Sequence, residues 1–176
     1  ISIGGDSSSE YVENIKTIEL NQFLKEKQYF YELNISCPNT IDGRTLNDSP
    51  DNLDGVLKEI KKVINVPVSI KISPDSSNDI IRKIAEICGF YDQVMINAGN
   101  SQYKSKSELN IPSNSLTTSG GGLSGISLFN RTLEIVKILA PFKIPIIATG
   151  GINNFDQIKI LKKEGAVLFG MATALI

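Results

Sequence analysis

The chain has 176 residues, 41% of them hydrophobic, with a mean hydropathy of -0.02, enough apolar material for one sizeable core in a single domain. Its 18 basic and 19 acidic residues leave a net charge of -1, which removes the electrostatic basis for nucleic acid or an anionic membrane as a partner. Two cysteines and no histidine exclude a disulfide framework and the usual zinc site, so no metal is expected and proton transfer falls to Cys, Lys, Asp, Glu or Tyr.

Short β-rich apolar runs alternate with amphipathic stretches of helical length, the pattern of βα units feeding a parallel sheet. The first strand covers residues 1–4 and leads into a helix over 9–26, with a serine cap and Glu10 and Glu13 in the opening turns to suit the positive helix N-terminus. A strand at 29–35 is followed by a loop over 36–50 and a helix over 51–64. Val66 to Ile72 reads as the next strand, 77–88 as its helix and 92–97 as the fourth strand. The insertion at 98–127 is rich in Asn, Ser, Thr and Gly and ends in Ser119-Gly120-Gly121-Gly122-Leu123-Ser124-Gly125; it is expected to be a flexible loop, and loops of this length are commonly functional. A helix over 128–140, a strand at 144–149, a helix over 154–164 and a strand at 166–170 complete the series.

The runs around Val68 and Ile146 are apolar on nearly both faces, as for strands buried beneath helices. Doubly wound sheets and barrels share this local pattern, and periodicity does not choose between them. No apolar run approaches the roughly 20 residues of a membrane span and Ile1 to Gly5 lack the regions of a signal peptide, so a cytoplasmic location is expected. The chain opens without Met on one strand and stops just after another, which reads as a fragment.

Polar or reactive residues gather at the C-terminal ends of these strands, which in parallel α/β folds open on one ligand-binding face. They are Asn34 and Cys37, then Lys71, Asn97, Gly150-Gly151 and Thr173. Lys71, late in an apolar strand, either snorkels to solvent or faces a carboxylate, a ligand or the mouth of a barrel. Asn97 is a turn cap or a ligand-facing amide. Gly150-Gly151 between a strand and a helix lets backbone N–H groups approach a phosphate, and Gly170-Met171-Ala172-Thr173 can supply a second set of donors. Cys88, before Gly89 on a helix, reads as core packing. Cys37 sits among Asn34, Ser36, Pro38 and Asn39, and a loop thiol in polar surroundings can be tuned to abstract a carbon-bound proton.

Glu32-Leu33-Asn34-Ile35-Ser36-Cys37-Pro38-Asn39-Thr40 resembles the catalytic motif of the dihydroorotate dehydrogenases, FMN enzymes of pyrimidine biosynthesis that oxidise dihydroorotate to orotate. The similarity continues through Ile1 to Gly5, Val68 to Lys71, Ile96-Asn97, Thr149 to Ile152 and Gly170 to Leu175, which look like barrel strands three, five, six, seven and eight. The resemblance thus implies a (β/α)8 TIM-type barrel, here one FMN-dependent domain over 1–176, incomplete at both ends and reduced to about six strands. Cys37 would be the base that removes the C5 proton, with FMN receiving the C6 hydride. Asn34, Asn39 and Asn97 would hold substrate, and Asn34 and Lys71 would contact the flavin, against which Ile96 would also lie. Gly125, Gly150, Gly151, Ala172 and Thr173 match positions that bind the FMN phosphate and ribityl chain. Ala98 stands in the substrate site where the family commonly has Ser or Thr, removing one hydroxyl.

A cysteine base marks the cytosolic members, whereas Gly43-Arg44 and Gly121 to Gly125 look more like the quinone-linked pattern. The resemblance also implies a homodimer of the full-length parent. A six-stranded segment with two open edges is expected not to retain FMN tightly or turn over alone. Alternative readings are a dihydropyrimidine dehydrogenase-like flavin enzyme, against which Asn39 speaks, and a non-catalytic FMN- or phosphate-binding barrel, against which Cys37 speaks.

Overall fold

In the computed structural model the described residues are 1–24, 26–36, 50–112, 114, 115 and 117–175. Cys37 and Asn39, with the remainder of the 37–49 segment, lie outside the described residues. Six parallel strands form one sheet: β1 (Ser2–Ile3), β2 (Tyr31–Asn34), β3 (Val68–Ile72), β4 (Val94–Ala98), β7 (Ile146–Thr149) and β8 (Ala166–Gly170). Five α-helices alternate with them: α1 (Ser8–Glu19), α2 (Pro50–Val63), α3 (Asn78–Cys88), α4 (Phe129–Leu139) and α5 (Phe155–Lys163). The expected strands and helices thus recur at nearly the expected places.

Local chemistry sets several helix starts. Ser7, Ser77 and Asn154 sit in extended backbone and accept hydrogen bonds from the amides of Glu10, Ile80 and Gln157 respectively, each satisfying one of the orphan donors of a first turn. The first helix is shorter than its expected end at residue 26. It stops at Glu19, and a 3-10 turn follows over Gln22–Leu24. Its buried stripe is Tyr11 and Ile15 with Ile18 half-buried, and the next positions on that stripe are Asn21 and Gln22, which offer the core nothing.

The strands lie in the order β1-β2-β3-β4-β7-β8, strictly sequential and parallel throughout. A doubly wound sheet reverses direction at a switch point, and this one does not. Because βα crossovers share one hand, a sequential order places every helix on the same face. Leu33, Ile70, Ile72, Ile96, Ala98, Ile146 and Ala148 are buried there with Leu57, Ile60, Ile81, Ile84, Ile135 and Leu139 from the helices. The opposite face is the inner wall of a barrel, and the architecture is that of a truncated TIM-type barrel.

The insertion after β4 departs from the expected flexible loop. Its two ends pair as an antiparallel ribbon, β5 (Gln102–Ser105) with β6 (Gly120–Leu123), in the register Gln102↔Leu123 to Ser105↔Gly120. Gly120 serves close approach: a Cβ there would fall 2.9 Å from Cα of Ser105 on the paired strand. Glycine-rich composition here marks contact between backbones as well as turns.

Candidate active site

Cross-strand register aligns Asn34 of β2, Lys71 of β3, Asn97 of β4 and Ile147 of β7 in one row. Strand alternation turns all four toward the inner wall, with Glu32, Ser69 and Met95 one layer below. Asn97 donates from Nδ2 to Oε2 of Glu32 at 2.7 Å, and the Lys71 ammonium lies 3.9 Å from Oε1 of the same carboxylate. Lys71 therefore faces a carboxylate and the barrel mouth together. The Oδ1 atom of Asn97 and the hydroxyl of Ser69 are buried with no hydrogen-bond partner among the described residues. Buried polar atoms in this state call for a partner from beyond the described residues, a water or a ligand.

A hydrogen-bond chain ties the end of β2 to the segment after β4. Ser36 donates to Oδ1 of Asn34 at 3.1 Å, Asn100 donates from Nδ2 to the Ser36 hydroxyl at 2.8 Å, and the Ser101 amide donates to Oδ1 of Asn100 at 2.9 Å. The Tyr11 hydroxyl donates to the Asn34 carbonyl at 3.0 Å, fixing the backbone there.

Beside this row lies a cavity of about 200 Å³ at the C-terminal strand ends. Lys71 forms one wall, Asn100 and Ser101 another, and the remainder comes from segments 124–128, 149–153 and 170–174. Two 3-10 turns, Ile126–Leu128 and Thr173–Leu175, begin at it, the first running directly into α4. Their first amides have no carbonyl within the turn to bond, so they are available to an anion.

Glycine is required where these segments meet. Gly125, Gly150 and Gly151 have φ of +96°, +122° and +72°, a region that costs other residues energy. A Cβ on Gly151 would also lie 2.8 Å from Cα of Phe129 and closer still to its amide nitrogen. The result is a cradle of bare backbone at the entry of α4.

Of the residues singled out from sequence, Gly125, Gly150, Gly151, Ala172, Thr173 and Lys71 meet at this one cavity, while Asn34 and Asn97 flank Lys71 in the row. The side chains of Ile96 and Ala98 do not join them. Both alternate with Asn97 and are fully buried on the helix-covered face, in register with Ile146 and Ala148, so only their backbone can reach the inner wall. Ala98, the last residue of β4, stands next to Asn97 at the strand end. Glu32 and Asn100 were not singled out. Period-two alternation back from Asn34 marks Glu32 as inward-facing, but nothing local signals its bond to a residue 65 positions away.

Cys88 is buried at the end of α3, where desolvation pushes its thiol up to about 12; it packs the core, as expected. Among the described residues no group of His, Cys, Asp and Glu is arranged to hold a metal, and no helix is long and apolar enough to cross a membrane.

A family model described as "Dihydroorotate dehydrogenase" matches residues 1–176. The quinone-type dihydroorotate dehydrogenase of Coxiella burnetii is 34% identical over 166 residues, covering 86% of this chain and 47% of that protein. The catalytic subunit of the NAD(+)-type enzyme B of Lachnoclostridium phytofermentans is 28% identical over 177 residues, covering 99% and 56%. Among solved structures, the ligand-free DHODH of Eimeria tenella superposes with a TM-score of 0.77 at 20% identity over 98% of this chain and 53% of that one. The chain thus spans about half the length of the curated relatives it matches. With a sequential parallel sheet, a glycine-lined cavity at the strand ends and a family-model match over residues 1–176, the chain belongs to the dihydroorotate dehydrogenase family.

Proposed function

We propose that residues 1–176 form strands three to eight of a single FMN-dependent barrel domain in a protein that oxidises dihydroorotate to orotate in pyrimidine biosynthesis. The observation that carries this reading is the convergence of Lys71 with Gly125, Gly150, Gly151, Ala172 and Thr173 on one cavity. The residues fit FMN: the cradle at Gly151 is one a Cβ would fill, its amides suit a phosphate, and Lys71 supplies a cation beside the substrate row. Bound there, FMN would supply the acceptor for the C6 hydride.

The chain's own groups do the rest. Asn34, Asn39 and Asn97 hold the substrate ring, the amide of Asn97 offering an unpaired acceptor to a ring N–H. Asn34 and Lys71 contact the flavin, and Lys71 carries the positive charge that favours electron density arriving on it. Cys37 takes the C5 proton on its Sγ. The cysteine base supports assignment to the cytosolic group, and a homodimer in which the whole barrel is present follows from the same resemblance.

The test uses the natural full-length protein, reconstituted with FMN and supplied with dihydroorotate or with dihydrouracil. Dihydroorotate is expected to bleach the flavin and dihydrouracil is not, and Cys37→Ala is expected to slow bleaching by at least about a hundredfold, the usual worth of a positioned base. A wild-type rate in Cys37→Ala, or bleaching by dihydrouracil alone, would sink the reading. Size measurement by light scattering checks the dimer.

A further inference from the structure

We propose that Glu32 is a positioning residue for this site, setting which end of the Asn97 amide is turned to the substrate. The proposal rests on the function proposed above. A carboxylate can only accept hydrogen bonds, so the 2.7 Å contact between Oε2 of Glu32 and Asn97 must be made by the amide NH2. That leaves Oδ1 of Asn97 as a buried acceptor with no partner among the described residues. The Asn97 position therefore presents an acceptor, and the ligand group it selects is a donor, an N–H or O–H.

The surroundings show why the carboxylate is needed. Asn97 is only 7% exposed and lies in register between Lys71 and Ile147, one layer above Ser69 and Met95. The two ends of an asparagine amide have the same shape, so packing alone does not distinguish them, whereas a fixed negative charge on one side does. Glu32 is itself held on the inner wall by the Lys71 ammonium at 3.9 Å, with side-chain exposures of 18% for Glu32 and 25% for Lys71. A half-buried charge with two partners in one layer is costly to place there for packing alone.

The test is a double-variant cycle in the natural full-length protein with flavin bound: wild type, Glu32→Gln, Asn97→Ala and the pair together. Calorimetry gives the Kd of orotate and steady-state kinetics give kcat and KM for dihydroorotate. Glu32→Gln is expected to raise Kd and KM about tenfold, with kcat within about twofold of wild type, the pattern of a lost binding interaction. In the Asn97→Ala background the same change is expected to have no further effect, since its action passes through the amide. Multiplying effects, or a fall in kcat at constant Kd, would overturn the proposal. Should Glu32→Gln fail to accumulate folded, Glu32→Asp takes its place, since it keeps the charge but withdraws it by one methylene; a wild-type Kd for that variant overturns the proposal equally. Wild-type protein that neither binds orotate nor turns over dihydroorotate refutes the proposed function itself, a result separate from an active wild type with an additive cycle.

Discussion

Replacing Gly151 by alanine tests the reasoning about the anion cradle most directly. The backbone at Gly151 has φ of +72°, which costs an L-residue about 1–2 kcal/mol. The added Cβ would lie 2.8 Å from Cα of Phe129 and 2.9 Å from the carbonyl carbon of Leu128, both below the closest approach that Cβ atoms make. These are backbone atoms at the entry of α4, so no side chain can swing aside, and overpacking of this kind costs a further 1–3 kcal/mol or about that. The sum is about 3 kcal/mol, read as a lower melting temperature of the natural full-length protein. Thermal unfolding of Gly151→Ala against wild type reads this directly, and the FMN dissociation constant is expected to rise in parallel because the shifted segment carries the cradle. Gly4→Ala is the control: Gly4 has no positive φ and nothing within 4 Å of its would-be Cβ, so its melting point is expected to stay within that of a neutral surface change. If Gly151→Ala melts with wild type and holds FMN equally well, the close packing of β7 against the start of α4 is not what shapes this site.

Gly55, exposed within α2 and with nothing within 4 Å of a would-be Cβ, is expected to gain about 0.5–1 kcal/mol on replacement by alanine, seen as a higher denaturant midpoint at constant slope. The Cys88 thiol, raised by burial from about 9 to about 12, stays protonated in the folded state while the unfolded thiol ionises. Its contribution to stability is therefore complete below about pH 9 and is lost as pH rises toward 12. The slope is at most about 1.4 kcal/mol per pH unit, and unfolding of Cys88→Ala followed across that window should fall less steeply than wild type. Arg131 of α4 donates to the carbonyls of Pro74 and Ser76 at 2.9 and 2.6 Å and to Oδ1 of Asn78 at 2.8 Å, and pairs with Glu134. Lysine cannot reproduce that fork, so Arg131→Lys is expected to cost about 2 kcal/mol, with an unchanged midpoint counting against the role given to this clamp between α3 and α4.

Much of this was legible from the chain alone because it is local. Apolar runs bounded by turn residues mark six strands, capping residues mark helix starts, and in any parallel sheet the C-terminal strand ends must face one way. Asn34, Lys71, Asn97 and the glycine pairs could therefore be grouped before their distances were known. Local signals failed where the outcome depends on a distant partner. The glycine run at 120–122 is a strand because β5 lies against it, and α1 ends early because no core lies over Asn21 and Gln22.

The alternation of strands and helices, the core and the set of polar residues at the strand ends each follow from the side chains of one segment and its neighbours, and so could be read from the chain. Periodicity left a barrel wall and a doubly wound sheet equally open, and the observed strand order, a property of how segments meet, bears out the barrel that the resemblance implied. Only the tertiary structure showed that Ile96 and Ala98 turn away from the row that contains Asn97, and that Glu32 closes on Lys71 and Asn97. Those pairings depend on register between strands far apart in the chain, and a shift of one residue in that register would carry each side chain to the opposite face.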